Sequence, residues 1–376
     1  MILVPFADAS AQTGEWQWQL MGNVFAGGNY QYRKFDDFDA IESQNWIMAH
    51  GDRPLSGGQL KLSGMFSFEP FTMEDIGSPQ VFQVGESYQG APLIDYQHPH
   101  DLFTELSGSY ARPMQEWTLT LTGALVGSPA LGPVPFMHRV SAAENPQAPL
   151  SHHHLDSTHV TPGVLTFGAS RSGLSLETSW FRGAEPDEDR TDIDLGALDS
   201  WSLRTTWTKG PWSAQVSGGH LHNPELLHPG DQTRLTASVS HTTSGPISTA
   251  LFGGWGQNRA SHATTNAWLF ESDVTWQDRN HLYSRAEAVD NDILTGHAHA
   301  GSTVSSAQVS RIGAFTLGFT RDLRVRALRR LGAGADMTVY YVPEQLQPDY
   351  GAPVSFHFFI RYRFSTGQGA MEHHHH

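Results

Sequence analysis

Residues 355 to 364 read Ser355-Phe356-His357-Phe358-Phe359-Ile360-Arg361-Tyr362-Arg363-Phe364, and the alternation in this stretch decides the fold. Successive side chains of an extended strand point to opposite faces. Phe356, Phe358, Ile360, Tyr362 and Phe364 therefore share one face, while His357, Arg361 and Arg363 share the other. A greasy face backed by a charged one suits a wall between hydrocarbon and water. One such strand also suits a soluble sandwich, so the weight falls on repetition. The same period returns at Trp117, Leu119, Leu121 and Leu125, which alternate with threonines, and at Leu174, Leu176 and Trp180. It returns again at Trp201, Leu203 and Trp207, at Trp268, Phe270, Val274 and Trp276, and at Phe315, Leu317 and Phe319. The intervening residues are small or of mixed charge, which suits a wet interior and not a dry core.

This pattern predicts strands near 15–26, 43–50, 58–68, 101–111, 115–127, 160–171, 173–183 and 199–209. It predicts more near 211–222, 232–242, 246–258, 265–276, 279–289, 306–321, 331–341 and 354–364. Links between them alternate in length. Arg171-Ser172-Gly173, Lys209-Gly210-Pro211, Thr243-Ser244-Gly245 and Gln277-Asp278-Arg279 are short turns; 69–100, 128–159, 184–198, 223–231 and 290–305 are long. Short turns on the periplasmic side and long loops outside are the rule for outer-membrane barrels. The expected fold is all-β: a transmembrane antiparallel up-and-down β-barrel of about 16 strands, within a range of 12–18. An even number returns both ends to the short-turn side. The expected organisation is an N-terminal periplasmic segment over 1–14, the barrel over 15–364, and a linker with a His tag over 365–376.

Composition agrees. Hydrophobic residues make up 39% of the chain, mean hydropathy is −0.37, and no run of about 18 apolar residues occurs, so helical membrane spans are excluded. The 37 glycines and an 11% aromatic share suit strands with girdles of Trp, Tyr and Phe. With no cysteine, disulfide scaffolds and thiolate metal sites are ruled out. A formal charge of −15 argues against a nucleic-acid partner. The start at Met1-Ile2-Leu3 suggests an export signal already removed, and His373 to His376 read as a purification tag. Outer-membrane lipid, lipopolysaccharide, the barrel-assembly machinery, and a small solute or metal ion are the partners expected of such a protein in a bacterial outer membrane.

Lumen-facing candidates are Lys61, Glu105, Glu177, Arg204, Arg234, Glu271, Asp273, Arg285, Glu287 and Arg361. They could form opposed walls of a diffusion pore or pair across the lumen and brace it. The long-loop end carries most of the histidine: Gln97-His98-Pro99-His100-Asp101, then His138, His152-His153-His154, Asp156 and His159, then His220, His222, Glu225 and His228. Imidazole beside carboxylate suits transition metals such as copper or zinc. On strands, the i,i+2 spacing of His98/His100 and His220/His222 puts both rings on one face. The metal-ligand candidates are His98, His100, Asp101, His152, His154, His159, His220 and His222, gathered at a common rim by the alternating topology. Strand parity also sets His220 and His222 on the side of Trp212, Ala214 and Val216, which faces lipid lower down. Asp156-Ser157-Thr158-His159 supplies the residue types of a lipid hydrolase, but triads are assembled from separate elements and no Gly-x-Ser-x-Gly elbow occurs. No catalytic residues are assigned.

Gln97-His98-Pro99-His100-Asp101-Leu102-Phe103, Pro129-Ala130-Leu131-Gly132-Pro133, Asp156-Ser157-Thr158-His159 and Arg182-Gly183-Ala184-Glu185-Pro186-Asp187 are together distinctive. They resemble a family of uncharacterised bacterial outer-membrane, porin-like barrels, and the resemblance runs over most of residues 15–364. It implies an association with copper or heavy-metal handling and is similar in general plan to copper-resistance barrels; it implies no catalytic residues. Three functions are then expected in order: a porin-like channel or transport component with a His/carboxylate-rich extracellular vestibule that binds or passes transition-metal cations, a plugged receptor or structural barrel, and a lipid-modifying hydrolase.

Overall fold

The computed structural model describes residues 14–34, 36–225, 229–292, 294, 309–325 and 330–366. The expected leading segment, the tag, His228 and most of the loop 290–305 lie outside the described residues. The first strands are β1 (Gln17–Arg33), β2 (Asp36–Glu42), β3 (Asn45–Leu55), β4 (Gly58–Phe66), β5 (Ser78–Tyr88) and β6 (Ala91–Gln97). Next come β7 (Phe103–Met114), β8 (Trp117–Gly127), β9 (Thr161–Arg171), β10 (Leu174–Phe181), β11 (Ser200–Lys209) and β12 (Trp212–Leu221). The last are β13 (Gln232–Thr243), β14 (Ile247–Arg259), β15 (Thr264–Trp276), β16 (Asn280–Asn291), β17 (Ser310–Asp322), β18 (Leu331–Tyr341) and β19 (Val354–Ser365).

All but β5 and β6 belong to one antiparallel sheet, which closes where β1 pairs with β19 from Met21–Ser365 to Tyr32–Val354. β2 covers the far half of β1 (Gly27–Arg33) and β3 the near half (Gln17–Val24), so the two share one place in the wall. The result is a closed barrel of 16 strands, an outer-membrane fold. All sixteen expected strands are present. β1 runs further than expected, through Gly27-Gly28 to Arg33, and pairs there with β2, a strand the aspartates of Asp36-Asp37-Phe38-Asp39 disguise as loop.

Parity behaves as a membrane wall requires. On β19, Phe358 and Ile360 are 57% and 54% exposed, whereas His357 and Arg361 are buried at 5% and 1%. On β17, Phe315, Leu317 and Phe319 face out, while Thr316 and Thr320 face in. Large exposed apolar side chains all round the outside and buried polar ones inside invert the rule for a soluble protein. Several short turns close with two consecutive residues in the left-handed region, as at Ser172-Gly173 (φ 48° and 83°) and Gln277-Asp278 (φ 55° and 52°). That twist matches the flanking strands and permits two-residue connections. Leu317 sits mid-strand on the lipid face, 48% exposed. Leu317→Arg is expected to cost about 2–4 kcal/mol, measured as a shift in urea unfolding of the protein in lipid vesicles; an unshifted transition would mean that this face does not meet hydrocarbon.

The lumen is not left to water. The hairpin β5–β6 lies inside, where Gln31 Oε1 accepts from the Val81 backbone N–H at 3.1 Å and the Asn29 amide donates to Pro79 O at 2.7 Å. Val81 and Phe82 are fully buried and pack with Leu346, Tyr350 and Ile312 under the long-loop end. The segment 128–160 between β8 and β9 also turns inward, and most of its residues are buried.

Candidate functional site: the inward loop and its histidines

Why the segment 128–160 stays inside follows from what it touches. Pro129, Ala130, Leu131, Phe136, Ala142, Ala148 and Leu150 give it an apolar core unlike that of a solvated loop, and Leu131 packs with Val164, Phe181 and Leu221 of the wall. Gly132 (φ 81°) passes so close to Leu155 that a Cβ would lie 2.0 Å from its carbonyl oxygen. On the wall, a Cβ at Gly256 would lie 2.2 Å from the carbonyl oxygen of His154, so β14 is bare where the loop lies against it.

Charge pins the loop down. Arg139 donates through Nε to Glu271 Oε2 at 2.9 Å, through Nη2 to Oε1 at 3.1 Å and through Nη1 to Asp156. Further along, the loop climbs β16 in step with its inward residues. Glu144 lies 3.5 Å from His281, Gln147 O accepts from Arg285 at 2.8 Å, and Ser151 donates to Glu287 through N and Oγ at 2.9 and 2.8 Å. Arg361 Nη1 donates to both oxygens of Glu144 at 2.5 Å. Arg204 Nη1 reaches Gly132 O at 3.2 Å, and Arg234 Nη1 reaches Ser157 Oγ at 2.8 Å. Six of the ten lumen candidates (Arg204, Arg234, Glu271, Arg285, Glu287 and Arg361) thus hold the inward loop instead of lining opposed walls of an open pore. Glu177 pairs with Arg204 at 3.0 Å. Asp273 accepts from Thr275 at 2.8 Å and Glu105 from Ser107 at 2.5 Å, while Lys61 faces inward opposite Ser109.

The metal candidates divide. His220 and His222 sit at the outer edge of the rim, both against Asp231, at 3.5 and 2.7 Å. His220 is in register with Trp201, 53% exposed on the lipid side, so this pair is separate from the lumen histidines. His98 and His100 are not on a strand. They follow β6 in a coil with rings 6.5 Å apart. His98 is committed at both ring nitrogens, Nδ1 to Pro99 O at 2.9 Å and Nε2 to Glu86 at 2.6 Å. Asp101 binds Arg190, which also holds Glu86. His152 to Leu155 form a helical turn, so His152 and His154 point apart: His154 reaches Thr265 at 3.0 Å, whereas His152 Nδ1 reaches Asp156, four residues on, at 2.6 Å. The expected outer vestibule is therefore an enclosed interior.

What converges inside is His100, His152 and His159. His100 Nδ1 and its backbone N–H both meet Glu69 Oε2 at 2.8 Å, and His159 Nδ1 meets Asp156 O at 2.8 Å. Nε2 of His100 and Nε2 of His159 face each other at 3.1 Å. The ring of His152 lies 5.1 Å from that of His159, and Phe136 lies within 6.3 Å of all three rings. Burial alone would depress His100, but the Glu69 carboxylate outweighs it and raises its affinity for a proton. Burial, then the neighbouring imidazoles, hold His159 well below the ordinary histidine value. Burial also lowers His152, against the pull of Asp156. Burial works against the charge of Asp156 too, but Arg139 and His152 prevail and keep it ionised. Ser157 Oγ is taken by Arg234, and the ring of His159 is held by a backbone carbonyl, so the Asp-Ser-Thr-His stretch does not assemble a triad.

Two groups bring three ligand-type atoms within 4.8 Å of one another among the described residues, and neither includes His100, His152 or His159. Glu144, Asp273 and His281 sit beside Arg361, whose cation already neutralises Glu144; Asp187, Asp192 and Asp194 lie on a largely exposed loop. Sequence reasoning missed Glu69, Glu86, Arg139, Glu144 and Arg190. The signal for Arg139 was that it is the one Lys or Arg in the segment 128–160.

A larger cleft remains between the loop, the coil at His98–His100 and the wall at Asn23, Phe25 and Trp46. A smaller one is lined by Arg285, Glu287, Asp336 and His357. Asn145 and Gln147 line both.

No protein family matches the chain by sequence, and no curated protein matches it. Solved structures do. An anion-selective porin from Comamonas acidovorans aligns with a TM-score of 0.55 at 12% identity, over 93% of this chain and 100% of that one. OmpF of Salmonella typhi, in complex with daunomycin, gives 0.57 at 8% identity, over 92% and 97%. A loop L8 deletion mutant of OmpT, an outer-membrane protein of Vibrio cholerae, gives 0.54 at 7% identity, over 93% and 100%. At such identities the likeness is one of fold, and it carries nothing about Gln97–Asp101 or about metals.

Proposed function

We propose that this barrel is a constricted channel for small polar solutes across the outer membrane, with the segment 128–160 as its constriction. One observation carries the reading. The lumen holds an inward loop fixed by buried ion pairs, yet two clefts that share Asn145 and Gln147 in their lining persist beside it. Amides, imidazoles and the rings of Trp46 and Phe136 line the larger one, which suits neutral polar or weakly cationic solutes. Similarity of fold to a porin described as anion-selective supports conduction in general, not that selectivity.

The test is single-channel recording in planar bilayers on tag-free protein, beside a variant in which residues 134–156 are replaced by a short Gly/Ser linker. The expected result is small, steady conductance steps for the native chain and steps several times larger for the shortened one. A native chain that stays silent while the shortened one conducts would overturn the channel and leave a plugged barrel.

A further inference from the structure

We infer that His100 and His159 form a binding site for one divalent transition-metal ion inside the lumen, with Glu69 and Asp156 as its outer sphere. The inference goes beyond the channel reading, since an ion can bind here whether or not the barrel conducts.

The case rests on which ring nitrogen each histidine has already spent. Metal-ligating histidines almost always give their other ring N–H to a carboxylate or a backbone carbonyl, which fixes the ring and makes the ligating nitrogen more basic. Both rings follow that pattern at Nδ1: His100 on Glu69 at 2.8 Å, His159 on Asp156 O at 2.8 Å. In each ring the nitrogen left for an ion is Nε2. These two face each other at 3.1 Å. Two Zn–N bonds of about 2.0–2.1 Å at a tetrahedral angle separate their nitrogens by about 3.3 Å. Seating an ion there needs a shift of only a few tenths of an ångström.

The surroundings suit a cation. The carboxylates of Glu69 and Asp156 are next to the rings, and Arg139 is turned away, spent on Asp156 and Glu271. Phe136 supplies an apolar shell that limits water. His100, Glu69 and Phe136 also line the larger cleft, so an ion has a route in. The sequence pattern could not identify this set, because His98, Asp101, His154, His220 and His222 carry the same residue types and are committed elsewhere.

The competing account is a plain hydrogen bond between the two rings, which needs one proton between the facing nitrogens. An ion would replace that proton and release it to solvent, so the two accounts differ in stoichiometry. The experiment uses full-length barrel in detergent without His373–His376, titrated with Zn²⁺ by calorimetry and with Cu²⁺ by electron paramagnetic resonance. One ion per barrel, about one proton released, and hyperfine structure from at least two nitrogens are expected. His100→Asn keeps a donor for Glu69 and preserves the fold, yet should abolish binding; His159→Ala should do the same. Glu69→Gln should weaken binding roughly 10- to 100-fold, and His220→Ala with His222→Ala should leave it unchanged. A native barrel that binds no ion, or binding that persists in both His100→Asn and His159→Ala, would overturn the assignment. Each variant is accepted only if it keeps the heat-resistant compact form on electrophoresis.

Discussion

Arg139→Ala will loosen the inward loop and raise the mean single-channel conductance, with frequent steps towards the level of the loop-shortened barrel. The guanidinium, 5% exposed, is the common partner of Asp156 on the loop and Glu271 on the wall. Removing one member of a buried ion pair costs about 3–5 kcal/mol, because the charge left behind has lost both water and partner. Here the lower end applies, since Glu271 keeps Ser141 and Arg285 while Asp156 keeps His152. The cost falls on the docked loop and not on the barrel, whose strand ladder is untouched. A loss of about 3 kcal/mol shifts the docked-to-released ratio by roughly two orders of magnitude. Limited proteolysis should then cut within 128–160 in the variant and leave the native chain intact. Adding Glu271→Gln and Asp156→Asn removes the stranded charges and should restore much of the protection. Native conductance and native protease resistance in Arg139→Ala would mean that charge does not hold the loop.

That role for Arg139 was hidden in the sequence for a definite reason. The wall was legible because each strand repeats one physical requirement, apolar outside and small or polar inside, and the error of a residue at a strand end changes nothing. Phe358, Ile360, Leu317 and Trp201 stand on the lipid face where alternation puts them. Alternation fails where the partner is not lipid. Gly27-Gly28-Asn29 carries turn-like residues where β1 meets the interior hairpin through Asn29 and Gln31. That hairpin itself escaped notice since Phe82 (φ 70°) and Asp95 (φ 63°) break its register and with it the two-residue period.

The site was legible only as a set of residue types. Alternating topology brings the histidines to one end of the barrel, but it does not say which loops turn in. The apolar content of Pro129–Leu131, Phe136 and Ala148–Leu150 was the available clue, because a loop left in water has no use for it. Pairing by parity then failed at His98/His100, which lie in coil after β6 and not on a strand. His152 and His154 stand on a helical turn, where a separation of two residues sends side chains apart. The i,i+4 pair His152–Asp156 is the helical counterpart that the same stretch does contain.

Acid should open the constriction in two stages, and the sign follows from two groups on the loop. Burial, then the nearby His100, holds His138 down at about 4, against 6.5 for a free imidazole. In the docked loop this ring is neutral and packs against Trp46, with centroids 5.0 Å apart. A released loop takes up the proton first, so docking weakens as pH falls from 6.5 towards 4, by roughly 2–3 kcal/mol. Glu144 follows. Burial alone would raise it, but Arg361 and then Arg363 outweigh burial and hold it at about 2, against 4.5 when free. Its contribution is complete above 4.5 and is lost as pH falls through 4.5 towards 2. With Glu144 protonated, Arg361 keeps Asp322 while Arg363 loses its carboxylate partner. Conductance recorded while one chamber is acidified should rise first between pH 6.5 and 4 and again below 4.5. His138→Phe keeps a ring against Trp46 and should erase the first rise; Glu144→Gln should conduct more at pH 7 and lose the second. Conductance that stays level from pH 7 to 2.5, with the loop protected throughout, would show that neither group governs docking.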